Sequence, residues 1–271
     1  MRLQFTWTAV TLLASSCRAV NGLSLKAEHA GAVFNNGTAA GQDVSLGNET
    51  GYVSYPPGHH AKAAVLYMTD IFGNALINNK LLADSIAKAG YLVVMPDLFR
   101  GDPVPADALS DPASNYSLPD WQKRHPMAEI ESILDTTINA IQTTYNTSRI
   151  GSVGYCFGGR YVARYLAAGK AIKAGFAAHP SNTQAAEWEA IAAPISIAFG
   201  DLDESSTPEN RTNIEEIFFE GNKTYQTTLY SNAEHGFAVR TNLTVKQKAF
   251  AQEGAYFQAV RWLDAWVKSE E

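Results

Sequence analysis

The chain is poor in cysteine, with only Cys17 and Cys156 among 271 residues. Two thiols cannot build a disulfide framework or a zinc finger. Basic residues are also scarce: 21 Lys and Arg face 27 Asp and Glu, for a net charge of -6. Nucleic-acid binding rests on cationic side chains neutralising phosphates, so this balance argues against it. No apolar run approaches the ~20 residues needed to span a bilayer. What is present, 46% hydrophobic and 11% aromatic residues, is the composition of a folded domain with a sizeable core.

The first 22 residues carry Arg2, an apolar stretch from Leu3 to about Ala14, and small residues near Ala19 and Gly22. That order reads as a secretory signal peptide spanning 1–19, with cleavage as late as residue 22. Removal of this leader takes Cys17 with it and leaves Cys156 as an odd thiol. Asn-x-Ser/Thr sequons begin at Asn36, Asn48, Asn115, Asn146, Asn210, Asn222 and Asn242. The composition predicts about two such motifs by chance, so the excess points to a secreted or secretory-route glycoprotein.

Residues 20–50 read as an irregular, Gly/Ala/Asn-rich arm, and 51–271 as a single domain. Within it, strand-length apolar runs at 52–55, 63–68, 91–95, 150–155, 174–178, 195–199 and 224–230 alternate with helical periods at 78–89, 127–145, 159–168, 208–220 and 245–267. The alternation predicts an α/β fold, a mostly parallel twisted sheet with helices on both faces. Ligands of such sheets sit beyond the C-terminal strand ends. The Pro- and Asp-rich segment 101–126 is long for a connection and reads as a lid or binding loop.

After the run 150–155 comes Gly154-Tyr155-Cys156-Phe157-Gly158-Gly159. This has the form of a nucleophile elbow with Cys in the nucleophile position. Glycines are needed where side chains would clash across the sharp strand-to-helix turn. The helix start favours an anion, which stabilises a thiolate. The alternative is a buried structural thiol. A Cys nucleophile needs a base and an orienting acid. After 195–199 come Asp201 and Asp203, and after 224–230 comes His235. The order nucleophile, acid, histidine is that of α/β-hydrolases. Spacing alone leaves Asp201 and Asp203 both open. Among the other histidines, His29, His59 and His60 fall in the N-terminal region, and His125 lies in the long loop. His179 follows a strand and is expected in the substrate pocket.

Taken together these segments resemble the dienelactone hydrolase family, closest to fungal members. The elbow at 154–159, Asp70-Ile71-Phe72-Gly73, Pro96-Asp97-Leu98-Phe99, Gly200-x-x-Asp203 and His235-Gly236-Phe237 carry the resemblance, over about 51–266. It implies an α/β-hydrolase domain with a Cys156-His235-Asp203 triad and no cofactor or metal. The acid turn of the family favours Asp203 over Asp201. The substrate is expected to be a small-molecule ester, lactone or thioester, cleaved through a thioester acyl-enzyme. A tailoring step in fungal secondary metabolism is one setting for it. Backbone N–H groups of Ile71 and Phe157 would form the oxyanion hole. Asp70 stands where bacterial members carry Glu, and a carboxylate there opposes the thiolate by like-charge repulsion. Arg240 is either a receptor for a substrate carboxylate or a surface salt-bridge partner. A catalytically silent or glycan-binding protein on the same fold, and an acyl transferase, are the alternative readings.

The sequon excess generates one expectation directly. Treatment of the native protein with an N-glycosidase should increase its electrophoretic mobility; unchanged mobility would rule out N-glycosylation.

Overall fold

In the computed structural model, the described residues are 35–109 and 114–268. The proposed leader, Cys17 and His29 lie outside them. Eight strands form one sheet: β1 (Gln42–Leu46), β2 (Glu49–Ser54), β3 (Ala64–Met68), β4 (Leu92–Pro96), β5 (Ile150–Tyr155), β6 (Ile172–Ala178), β7 (Ile195–Gly200) and β8 (Tyr225–Tyr230). Their order across the sheet is β1-β2-β4-β3-β5-β6-β7-β8. β2 is antiparallel to β1 and β4, and the other pairs are parallel.

The central strands are buried on both faces, which is why they read as continuous apolar runs. Period-2 alternation divides them between two cores. Ala64, Leu66 and Met68 of β3 point into one core, with Ile195, Ile197 and Phe199 of β7. Val65 and Tyr67 of β3 point into the other, with Val153 and Tyr155 of β5. The first core is closed by α3 (Met127–Thr143), α4 (Phe157–Tyr165), α5 (Ala185–Glu189) and α6 (Pro208–Glu220). The second is closed by α1 (Ile77–Lys88) and α7 (Lys246–Leu263). A π-helical turn, Asp264–Lys268, follows α7.

Three elements differ from the sequence expectation. β1 and the start of β2 fall in the segment read as an irregular arm. β1 is an edge strand, so its pattern of mostly exposed residues carries no apolar signal. A short helix, α2 (Leu118–Arg124), lies within the long loop. Its Pro119 stands in the first turn, where a missing N–H costs nothing, and Ser117 caps it by accepting from the Asp120 N–H. α5 is five residues long, too short for periodicity to show.

The junction of β5 and α4 positions the site. α4 begins at Phe157, one residue after the strand ends at Tyr155 and two earlier than expected. Cys156 sits between them at φ 50° and ψ -111°, a conformation held only where surrounding structure imposes it. A Cβ on Gly158 would stand 2.2 Å from the Met68 carbonyl oxygen, and one on Gly154 2.4 Å from the Gly158 carbonyl oxygen. α4 can approach the end of β3 only because those atoms are missing. Gly158→Ala should therefore cost about 3 kcal/mol or more, the scale of overpacking against rigid backbone. Chemical denaturation would check this; a change under 1 kcal/mol would contradict the packing argument.

Candidate active site

The C-terminal strand ends gather the residues singled out by sequence. His235, in the loop after β8, places Nε2 2.9 Å from Cys156 Sγ. Its Nδ1 lies 2.9 Å from Asp203 Oδ1. Asp203 is in the turn after β7, where Oδ1 also accepts from the Ser205 N–H at 2.8 Å. The carboxylate is buried. The competing acid, Asp201, is exposed and braces the neighbouring loop by accepting from the Ala233 N–H at 3.2 Å. Geometry thus selects between the two aspartates that spacing left open.

Burial alone would lower the His235 pKa. Hydrogen bonds to Asp203 and Cys156, with the charges of both, outweigh it and push the value up to about 10. The balance favours the protonated ring. The N–H groups of Ile71 and Phe157 make no hydrogen bond among the described residues. The Phe157 N–H belongs to the unsatisfied first turn of α4, where negative charge is favoured.

His179 corrects an expectation. It is fully buried, with Tyr155, His235 and Phe237 around its ring. Its Nδ1 accepts from the Cys156 N–H at 3.1 Å. Burial first, then the positive charges of His235 and Arg240, hold its pKa well below the ordinary histidine value. Aromatic residues near the strand ends belong mainly to the core: Phe72, Phe99, Tyr155 and Phe237 are all buried.

Arg240 pairs with a buried carboxylate. Its Nη1 lies 2.6 Å from Asp70 Oδ2, and its guanidinium covers the Phe72 ring at 4.3 Å. Asp70 Oδ1 accepts from the Asn79 side chain at 3.0 Å and the Phe72 N–H at 3.1 Å. Burial raises the Asp70 pKa, and Arg240, Asn79 and the Phe72 N–H pull it back. Asn79 escaped the sequence reading because its polar side chain lies on the buried face of α1.

The long loop contributes a wall. Trp121 of α2 is fully buried, and its indole N–H donates to the Asp102 carbonyl at 2.8 Å. Its ring packs against Phe99, His125 and Phe157. Between α2 and α4 lies a cavity of about 290 Å³, lined by Gln122, His125, Phe157, Arg160, Tyr161 and Ser181 among others. Arg160 is held on Glu187 at 2.8 Å. His125 Nε2 lies 3.0 Å from Asp102. His59 and His60 are exposed. Among the described residues no group of three or more His, Cys, Asp or Glu could hold a metal ion. No helix among them is long and apolar enough to cross a membrane.

The His235 environment sets a pH dependence. A pKa raised to about 10 in the folded chain, against about 6.5 unfolded, stabilises the fold fully below pH ~6.5. The contribution is lost as pH rises toward the folded value. The stability of the wild type relative to His235→Gln should fall between pH 7 and 10. Thermal melts across that range test it, and a pH-independent difference would exclude the ion pair.

Comparison with known proteins gives the family. The dienelactone hydrolase family model matches residues 50–267. The chain is 40% identical over 238 residues to hydrolase pyvD of Aspergillus violaceofuscus, covering 88% of this chain and 95% of that one. It is 32% identical to dienlactone hydrolase 1 of Gibberella moniliformis, covering 88% and 92%. A crystal structure from Klebsiella pneumoniae, provisionally described as a dienelactone hydrolase, shares the fold with a TM-score of 0.67 at 20% identity, covering 85% of this chain and 98% of that one. The chain belongs to the dienelactone hydrolase family, on an α/β-hydrolase fold.

Proposed function

We propose that this hydrolase of small ester or lactone substrates works through Cys156 as nucleophile, His235 as proton carrier and Asp203 as the acid that orients it. The observation that carries the reading is the Asp203–His235–Cys156 array, with both separations at 2.9 Å; the N–H groups of Ile71 and Phe157, unpaired among the described residues, support it. In this reading the Cys156 thiolate attacks the substrate carbonyl carbon. The two N–H groups receive the developing oxyanion. The imidazolium of His235 protonates the departing alkoxide, and a thioester remains on Cys156.

The same electrostatics supports the second half. Part of what raises the His235 pKa is the hydrogen bond to Cys156 and its charge. Acylation removes that charge, so His235 holds its proton less tightly and can take one from water. The activated water attacks the thioester, the thiolate leaves, and the proton stays on His235. The acid is released and the starting ion pair is restored. Asp203 keeps the ring oriented and stabilises the imidazolium.

The substrate is proposed to occupy the cavity between α2 and α4, whose volume of about 290 Å³ suits a small ring system. The setting in this reading is fungal secondary metabolism, supported by the identity to fungal hydrolases. A secretory, glycosylated protein is also proposed. Its support is that all seven sequon asparagines are exposed. Asn78 and Asn79, which carry no sequon, are buried.

Cys156→Ala and His235→Asn should each lower kcat on a small aryl ester or lactone by about 10³-fold or more. The double variant should be little worse than either single one, because the residues act as a unit. Steady-state kinetics across a panel of esters, lactones and thioesters provides the check. A Cys156→Ala enzyme as fast as wild type would end the nucleophile reading.

A further inference from the structure

The segment after β6, His179-Pro180-Ser181, grips Cys156 at several points. The Cys156 N–H is shared between the Ala178 carbonyl and His179 Nδ1, each at 3.1 Å. Ser181 donates its own N–H to the Cys156 carbonyl at 3.2 Å. A Cβ on Gly159 would meet Pro180 Cβ at 2.8 Å, so the segment lies flat against the start of α4. The Ser181 hydroxyl comes within 3.6 Å of Cys156 Sγ.

This grip is costly to build. His179 adopts φ 39°, in the left-handed region that histidine rarely enters. Its Nδ1 accepts a hydrogen bond and its pKa is depressed, so its single proton sits on Nε2. That N–H is buried and finds no acceptor among the described residues. Strain and an orphaned donor persist only where the surrounding structure over-determines them, and they cluster at functional sites.

We propose that Ser181 is a second polar partner of the reacting sulfur: its hydroxyl donates to the Cys156 thiolate, and the strained His179-Pro180 turn holds that donor in place. The proposal rests on Cys156 being the nucleophile. A thiolate so placed has two donors, the His235 Nε2–H and the Ser181 O–H. The donor favours the anion over the neutral thiol. It acts again in deacylation, when the thiolate is the leaving group of the tetrahedral intermediate. The other charged groups around this sulfur are already engaged. His235 is held by Asp203, Asp70 by Arg240, and His179 is kept neutral by burial.

Alkylation tests this without a substrate. The full chain is treated with iodoacetamide across pH 5–9, and modification of Cys156 is followed by mass spectrometry. Ser181→Ala keeps the backbone N–H that binds the Cys156 carbonyl and loses only the hydroxyl. It should alkylate about tenfold more slowly than wild type at pH 6, with the gap closing as pH rises, the scale of one charge-assisted hydrogen bond. Ser181→Thr, which retains a hydroxyl, should keep the wild-type profile. Ser181→Gly is a second removal should the alanine variant fold poorly, and melting temperatures accompany each profile. A superimposable profile for the hydroxyl-free variants, or a slowing uniform across pH, would overturn the role of Ser181. Ester hydrolysis is read separately. A wild type that hydrolyses nothing would sink the nucleophile reading, while the alkylation profiles would still report on Ser181.

Discussion

A helix starts one residue after a buried strand ends, and no Cβ fits on either side of the turn. That packing constraint at Gly154 and Gly158 is what the rest of the site depends on. It brings the first turn of α4 against the Met68 carbonyl at the end of β3. It forces Cys156 into positive φ and leaves the Phe157 N–H unpaired at a helix start. The chain from β3 runs on through Asp70 to Ile71, so the second unpaired N–H is delivered by the strand that α4 leans on. One steric fact thus sets the sulfur, the helix dipole and both candidate oxyanion donors together.

Around that turn the molecule handles buried charge by pairing it. Asp203 faces His235, and Asp70 faces Arg240, each within hydrogen-bonding distance. His179, lying between positive groups and cut off from water, stays neutral instead. Unpaired burial of any one of these charges would be expensive. The arrangement therefore works as a set: removing one partner leaves another uncompensated. Asp70 illustrates the point, because its oxygens are occupied by Arg240, Asn79 and the Phe72 N–H.

The parallel core was legible because its strands are short apolar runs separated by amphipathic helices. The nucleophile elbow was legible because steric demand and glycine usage map one to one. The order of Cys156, Asp203 and His235 was readable for a related reason: parallel strands deliver their following loops to one sheet edge. β1 and α5 were not legible. An exposed edge strand and a five-residue helix bury too little to leave a periodic trace.

By itself the sequence determined the fold class, the elbow and the identity of the facing histidine, since each rests on local chemistry at a fixed spacing. Spacing left Asp201 and Asp203 open and the family resemblance favoured Asp203; the tertiary structure buries Asp203 against His235 and leaves Asp201 exposed. It also buried His179, expected in the substrate pocket, and tied Arg240 to Asp70. Those outcomes depend on contacts between residues 23 to 170 positions apart in the chain. Contacts of that kind are set by packing across the sheet and leave no signature in either segment alone.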